Sequence, residues 1–225
     1  MQIYQRPIKD KEEVWLLVLA AGFSKRMQKQ KLLLPIDGQS LIQFTVKRLL
    51  GTKADGIVVV TNSEYQEVKK RIENMPVVTL ENAHSYLGMS SSLRLGITYL
   101  KKRQAGAAIV LLADQPTIDI ETVNLLIENY RLSKPSILQT YYQTKPSHPV
   151  LFSNRWFDEL QTISGDKGAR ELLEKYREHV KYVYVDSLDP RDIDTMSDYQ
   201  EFLGSLKQSG NGLLKGADKK NEAKR

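Results

Sequence analysis

Apolar runs and amphipathic stretches alternate along most of this chain. Residues 14–20 and 107–113 are almost entirely apolar, which predicts strands that are buried on both faces of a sheet. Other strands are predicted at residues 56–61, 77–79, 136–142, 149–152 and 180–186, and helices at residues 40–50, 63–74, 90–103, 120–132, 166–176 and 197–203. Strands that alternate with helices predict βαβ units, and therefore an α/β fold with a mostly parallel sheet covered by helices on both faces.

Length and charge divide the chain into a domain and two extensions. We predict a polar N-terminal extension at residues 1–13, a folded domain at residues 14–203 and a basic, disordered tail at residues 204–225. The tail has too few large apolar residues to offset the entropy of ordering it. It contributes to a net charge of +6 and suits electrostatic docking of an acidic partner. A nucleic-acid arm is the alternative, without interleaved aromatic residues to support it.

Composition excludes several classes of protein. The chain has 0 Cys, so it contains no disulfide framework, thiol nucleophile or thiolate metal site. No apolar run reaches about 18 residues, and residues 1–13 lack the pattern of a signal peptide. We therefore expect a cytoplasmic protein with no membrane and no nucleic-acid partner.

The first predicted strand ends in a small-residue turn that is followed by cations. Residues 20–22 read Ala-Ala-Gly, so backbone N–H groups can approach a ligand closely there. Arg26 and Lys31 follow within ten residues and suit a polyphosphate, while Lys25 is interpreted as a solvated neighbour. These features predict a nucleoside triphosphate site at the C-terminal end of the strand. Ser24 either contacts the nucleotide or only caps the next turn.

A second candidate residue follows the other buried strand. Asp114 comes directly after residues 107–113 and precedes Gln115-Pro116. Parallel strands place their C-terminal ends at one edge of the sheet, where ligands bind. Mg²⁺ prefers one or two carboxylates together with phosphate oxygens, so we predict that Asp114 is a metal ligand rather than only the start of a turn.

Six segments, in order, resemble the molybdenum cofactor nucleotidyltransferases. These segments are Leu-Ala-Ala-Gly-x-Ser-x-Arg-Met at 19–27 with Lys31, Gly-Met-Ser-Ser-Ser-Leu at 88–93, Leu-Ala-Asp-Gln-Pro at 112–116, His-Pro-Val-Leu-Phe at 148–152, Gly-Asp-Lys-Gly-Ala-Arg at 165–170 and Asp-Ile-Asp-Thr at 192–195 with Asp198 and Tyr199. The chain is most similar to the cytidylyltransferase branch of MobA-like NTP transferases, which includes the purine-catabolism proteins that accompany xanthine dehydrogenase. The resemblance implies a Rossmann-like nucleotidyltransferase domain.

The resemblance also implies roles for individual residues. It implies catalytic roles for Arg26, Lys31 and Asp114, and Mg²⁺ ligation by Asp114 and Asp194. Nucleotide binding is implied for Leu19, Ala20, Ala21, Gly22, Ser24, Arg26, Lys31, Ser90, Ser91, Ser92 and Asp114. Acceptor binding is implied for His148, Gly165, Asp166, Lys167 and Gly168, although Asp166 has the alternative of being only a helix N-cap. Ala21 stands where the guanylyl branch has Gly, which points to CTP.

The chain departs from the family pattern at two positions. Gln28 and Ser147 stand where the family usually has Gly, after the Met of the first segment and before the His-Pro pair. The implied reaction needs no nucleophilic side chain, because an acceptor phosphate attacks the α-phosphate of CTP and pyrophosphate leaves in line.

Three functions are compatible with the sequence. The first is transfer of CMP to the molybdenum cofactor, with Mg²⁺ as cofactor and a xanthine dehydrogenase-type hydroxylase as possible client. The second is a nucleotidyltransferase with a sugar or polyol phosphate acceptor, and the third is a non-catalytic chaperone that inserts the molybdenum cofactor.

Overall fold

The computed structural model describes residues 12–24, 27 and 29–208 of the 225-residue chain. The strands of this part are β1 (Val14–Ala20), β2 (Pro35–Ile36), β3 (Gln39–Ser40), β4 (Gly56–Asn62), β5 (Val78–Asn82), β6 (Ala107–Leu112), β7 (Ile137–Tyr141), β8 (Pro146–Ser153) and β9 (Val180–Tyr184). The helices are α1 (Leu41–Leu49), α2 (Gln66–Ile72), α3 (Met89–Lys102), α4 (Ile120–Ser133), α5 (Phe157–Leu160), α6 (Arg170–Lys175) and α7 (Met196–Gln208).

Seven of these strands form one sheet in the order β5–β4–β1–β6–β8–β7–β9. All pairings are parallel except those of β8, which runs antiparallel to both of its neighbours. The predicted α/β fold with a mostly parallel sheet is therefore confirmed. The strand order reverses beside β1, because β4 lies on one side of it and β6 on the other, and such a switch point opens a crevice at the C-terminal strand ends.

Two apolar layers cover the sheet. One face packs against α1, α4 and α7, with Ile42, Val123 and Phe202 in the shared core. The other face packs against α3, α5 and α6, with Ile97 and Leu172 among the buried residues. All seven residues of β1 are buried, as expected for a strand with a layer on either side.

Several predicted boundaries need correction. Helix α6 begins at Arg170 with Ala169 at its N-cap, so Asp166 does not cap it. Strand β5 extends to Asn82, and the short β2–β3 hairpin and α5 were not predicted. Two- and four-residue elements carry too little periodicity to be recognised in a sequence.

Helix α7 is longer than the predicted helix at residues 197–203. Helix α7 continues to Gln208, because Leu203 and Leu206 still pack against the core. Residues 209–225, and with them most of the predicted tail, lie outside the described residues, as do residues 1–11 of the predicted N-terminal extension. Within the described ranges, no helix combines the length and hydropathy that a membrane span requires. The cytoplasmic location stays a prediction.

Candidate functional site

The C-terminal end of β1 opens into a cleft of about 640 Å³. Its wall includes Tyr86 and Met89 beside the start of α3 and Leu112 at the end of β6. Among the predicted site residues, those that line the cleft are Leu19, Ala20, Ala21, Gly22, Ser24, Lys31, Ser92, Asp114, Asp166 and Asp194. Residues from six separate segments of the chain therefore meet at one edge of the sheet. The cleft lies at the crevice that the strand order creates.

The loop after β1 is held in shape by its own hydrogen bonds. Ser24 has a positive φ of 52°. Its Oγ donates to Oε1 of Gln30 (2.9 Å) and accepts from the backbone N of Lys31 (3.1 Å). The Gln30 side chain also donates to the Gly22 carbonyl (3.4 Å). Ser24 thus shapes the loop that presents Lys31, and Gln30, which the sequence did not single out, closes it. Lys25, Arg26 and Gln28 lie outside the described residues.

Lys31 joins the two predicted metal ligands. Its Nζ lies 2.5 Å from Oδ2 of Asp114 and 2.8 Å from Oδ1 of Asp194. Burial by itself would lower the pKa of Lys31, but the two carboxylates outweigh that effect and raise it. Lys31 is therefore charged at neutral pH. It holds Asp114 and Asp194, which are far apart in the sequence, side by side.

The backbone brings Asp194 to Asp114. The backbone N of Ile193 donates to the Asp114 carbonyl (3.0 Å), which ties the segment before α7 to the end of β6. A side-chain bond from Nε2 of Gln115 to Oδ1 of Asp192 (2.7 Å) reinforces this connection. Burial, and then the nearby Asp114, raise the pKa of Asp192.

A capping box at the start of α7 fixes the backbone of Asp194. Oδ2 of Asp198 accepts from the backbone N atoms of Asp194 (3.1 Å) and Thr195 (2.7 Å), and Thr195 Oγ1 accepts from the Asp198 N (3.2 Å). This reciprocal arrangement is typical of a helix N-terminus. It places the Asp194 carboxylate at the mouth of the cleft.

The donor set fits a hard divalent cation that also binds phosphate. No group of three or more His, Cys, Asp or Glu suitable for a metal occurs in the described part of the chain. Asp114 and Asp194 supply two carboxylates, which is the number that Mg²⁺ usually takes when phosphate and water oxygens complete its shell. The residues present therefore match a metal that arrives with a nucleotide better than a metal held by protein alone.

The predicted serine cluster lies at the N-terminus of α3, but only Ser92 reaches the cleft wall. Buried Asn82, at the end of β5, donates to the hydroxyls of Ser91 (2.8 Å) and Ser92 (2.9 Å). The backbone N of Ser90 donates to the Gly165 carbonyl (3.1 Å). Asn82 was missed because its contacts join two elements and no spacing in the sequence reveals them.

The predicted acceptor loop packs directly against the start of α3. A Cβ at Gly88, which has φ of +94°, would lie 2.4 Å from Oδ1 of Asp166 and 2.7 Å from the Gly165 carbonyl. A Cβ at Gly168 (φ +57°) would lie 3.0 Å from Sδ of Met89. The two glycines therefore let the predicted nucleotide and acceptor segments touch. Lys167 lies apart from the cleft lining, and its ammonium pairs with Glu171 at 2.8 Å on the surface.

His148 lies in an irregular part of β8 and does not line the cleft. Pairing of β8 with β7 shifts between Val150 and Ser147, so His148 and Pro149 form the irregularity. Burial of the imidazole lowers the pKa of His148 to about 4, and the nearby Asp114 carboxylate only partly opposes this. His148 is therefore neutral at pH 7.

Fold and cleft together define a nucleotide-binding α/β transferase, and the sequence matches the MobA-like NTP transferase domain over residues 16–180. The chain belongs to this family, which confirms the resemblance predicted from the sequence. It is 28% identical over 190 residues to the purine catabolism protein PucB of Bacillus subtilis, covering 80% of this chain and 91% of PucB. It is also 28% identical over 189 residues to nicotine blue oxidoreductase of Paenarthrobacter nicotinovorans, covering 81% and 89%.

A solved relative carries a divalent metal. The structure of Rv0371C from Mycobacterium tuberculosis H37Rv, a complex with manganese, superposes with a TM-score of 0.72 and 27% identity. The superposition covers 86% of this chain and 99% of that one. Membership of the MobA-like NTP transferase family makes this chain a nucleotidyltransferase, and the manganese is a feature of that relative.

Proposed function

We propose that this protein transfers CMP from CTP to the phosphate of the molybdenum cofactor and releases pyrophosphate. The observation that carries the proposal is the convergence of Lys31, Asp114 and Asp194 beside the Ala-Ala-Gly turn. Those residues form a site for a metal–triphosphate, because they combine two carboxylates, one ammonium and close backbone approach. The similarity to PucB over most of both chains supports purine catabolism as the setting. A xanthine dehydrogenase-type hydroxylase as client is implied by the family resemblance alone.

The nucleotide half of the site uses the turn and helix α3. Gly22 has open space around its Cα, so its backbone is accessible to the base and ribose. The Ser92 hydroxyl accepts a bond from Asn82 and faces the cleft, which leaves its own proton to donate to a nucleotide oxygen. The start of α3 favours negative charge through its dipole. Ala21 in place of Gly is the basis for choosing CTP.

The phosphate half of the site lowers the barrier by electrostatics. Asp114 and Asp194 would hold Mg²⁺, which withdraws charge from the α-phosphate when it is bound. Lys31, together with the predicted contribution of Arg26, places positive charge where pyrophosphate leaves. The acceptor phosphate is already anionic, so the protein need only align it and keep His148 neutral beside it.

The test is pyrophosphate release from each of the four nucleoside triphosphates, with and without purified molybdenum cofactor and with Mg²⁺ or Mn²⁺. We expect pyrophosphate release with CTP only when the molybdenum cofactor is present. The second product should be the cytosine dinucleotide form of the molybdenum cofactor. Release with CTP and sugar or polyol phosphates, but not with molybdenum cofactor, would establish the second candidate function. Cofactor binding without any pyrophosphate would establish the chaperone function instead.

A further inference from the structure

Three tyrosines form an exposed aromatic patch at the C-terminal ends of β7 and β9. The Tyr141 ring lies 5.5 Å from that of Tyr182 and 5.2 Å from that of Tyr184, measured between centroids. Tyr184 is 71% exposed and Tyr182 is 37% exposed. Exposed aromatic rings that contact one another on a sheet are an unusual surface for a monomer to leave in water.

The patch and the cleft share one face of the sheet. Ile137 of β7 and Val180 of β9 point into the core beneath α5 and α6, and Leu112, which lines the cleft, packs against that same core. Side chains alternate along a strand, so Tyr141 and both β9 tyrosines lie on that face as well. Helices α5 and α6 cover the first residues of these strands, and the tyrosines lie beyond that cover.

Strand register gives the distance between the patch and the predicted metal ligands. Val110, Val150, Gln139 and Tyr182 form one row across β6, β8, β7 and β9. Tyr141 and Tyr184 are two residues beyond that row, level with Leu112. Strand spacings of about 4.8 Å place Tyr141 roughly 10 Å, and Tyr184 roughly 14 Å, to the side of the strand that leads to Asp114.

The β8 irregularity lies on the path between the two sites. Pro146 pairs with Tyr141, and His148 comes two residues later, close enough to Asp114 for that carboxylate to act on its imidazole. In the sheet, β8 lies between β6 and β7, so a ligand with its phosphate at Asp114 crosses the end of β8 before it reaches the tyrosines.

We propose that Tyr141, Tyr182 and Tyr184 are a stacking platform for the fused planar ring of the acceptor, whose phosphate is held at the Lys31–Asp114 end of the cleft. This inference rests on the proposed function, because it assigns the ring of the acceptor to a site whose phosphate end is proposed above. Tyrosine suits this task, since it offers a rigid aromatic face with only two side-chain torsions to order. Stacking of a planar base on an aromatic side chain is a substantial and sequence-tolerant source of affinity.

The kinetic test compares Tyr184→Ser and Tyr141→Ser with the full-length protein in the transfer assay. We expect KM for the acceptor to rise about tenfold in each, because one stacking face is lost. KM for CTP should stay within about twofold, since the tyrosines lie on the acceptor side. Tyr184→Phe should retain the wild-type KM, because stacking uses the ring and not the hydroxyl. Leu132→Ser removes an 87% exposed apolar side chain from α4 and is the matched control.

A binding test separates this inference from the proposed function. Titration with pterin-6-carboxylate, followed through its own fluorescence, reports ring binding without any transfer. Weaker binding to the Ser variants, with Tyr184→Phe unchanged, supports the platform even if wild-type protein fails to use molybdenum cofactor. Unchanged acceptor KM and unchanged titration in both Ser variants overturn it. So does a change confined to oligomeric mass in sedimentation, which would assign the patch to a second copy of the chain.

Discussion

At the scale of single residues, Asp114 carries the most specific expectation. Its carboxylate accepts a hydrogen bond from Nζ of Lys31, and its backbone carbonyl accepts one from the backbone N of Ile193, which precedes Asp194. It is also the predicted ligand of the metal. We expect Asp114→Asn to reduce kcat by at least about 10²-fold, because the metal and the charge on the α-phosphate lose a ligand that acts in the transition state. Steady-state turnover under saturating Mg²⁺ measures this effect.

The fold should survive that substitution, since Asn keeps the size of the side chain. The control is Asp158→Asn, an exposed carboxylate on α5 whose partner is Lys101. It removes one surface ion pair and should leave kcat unchanged. An Asp114→Asn protein that keeps half of wild-type turnover would exclude Asp114 as the metal ligand.

His148 allows a prediction about pH. Its pKa is lowered from 6.5 to about 4, so between these values the unfolded chain binds a proton that the folded protein does not. The free energy of unfolding therefore falls as pH decreases through this window, by at most about 1.4 kcal/mol per pH unit and by less for a partly exposed ring. We expect His148→Gln to lose less stability than wild type between pH 6.5 and 4.

Urea denaturation of both proteins at several pH values measures the difference. Other groups, including Asp192 with its raised pKa, titrate in both proteins and cancel in the comparison. Parallel stability curves for wild type and His148→Gln would mean that the imidazole is not held neutral.

At the scale of elements, the start of α7 has a function beyond its own stability. Asp198 caps the helix and holds the backbone of Asp194 through the same oxygen. Groups that orient a metal ligand typically change metal affinity by about 10–100-fold. We expect Asp198→Ala to raise the Mg²⁺ concentration needed for half-maximal turnover about tenfold, while kcat at saturating Mg²⁺ changes less.

The neighbouring Ser197 provides the control for this helix. Its Oγ donates to Glu201 at 3.4 Å on the surface and does not contact Asp194. Ser197→Ala should leave the Mg²⁺ requirement unchanged. A loss of kcat in Asp198→Ala that extra Mg²⁺ does not restore would show that the capping box stabilises the fold without positioning the ligand.

Sequence reasoning located the elements that have strong periodicity and the loops that follow buried strands. It predicted β1, β6 and the position of Asp114, because apolar runs and turn residues are local signals, whereas Asp194 was implied only by the family resemblance. It missed Asn82, Gln30 and the tyrosine patch, since their contacts join segments that only the fold brings together. It also placed Asp166 as a possible helix cap, whereas that side chain contacts the Gly88 turn.

At the scale of the whole molecule, we expect the segment after α7 to serve partner binding rather than catalysis. The folded domain extends through α7 to Gln208, and the next 17 residues contain five Lys or Arg and two acids. Cationic segments of this kind attract acidic partners through screened, salt-sensitive forces. Deletion of residues 209–225 should therefore leave cytidylyl transfer to purified molybdenum cofactor within about twofold of wild type.

The same deletion should weaken docking of an acidic client. Higher salt should reduce the difference in docking between the full-length and truncated proteins, because the attraction is screened over about 8–10 Å at physiological ionic strength. Transfer assays of full-length and truncated protein, with and without the hydroxylase and at two salt concentrations, measure both effects. The cut keeps Leu203 and Leu206, which pack against the core, so we expect the thermal stability of the truncated protein to match that of the full chain. A large loss of transfer in the absence of any client would instead make the C-terminal segment part of the active site.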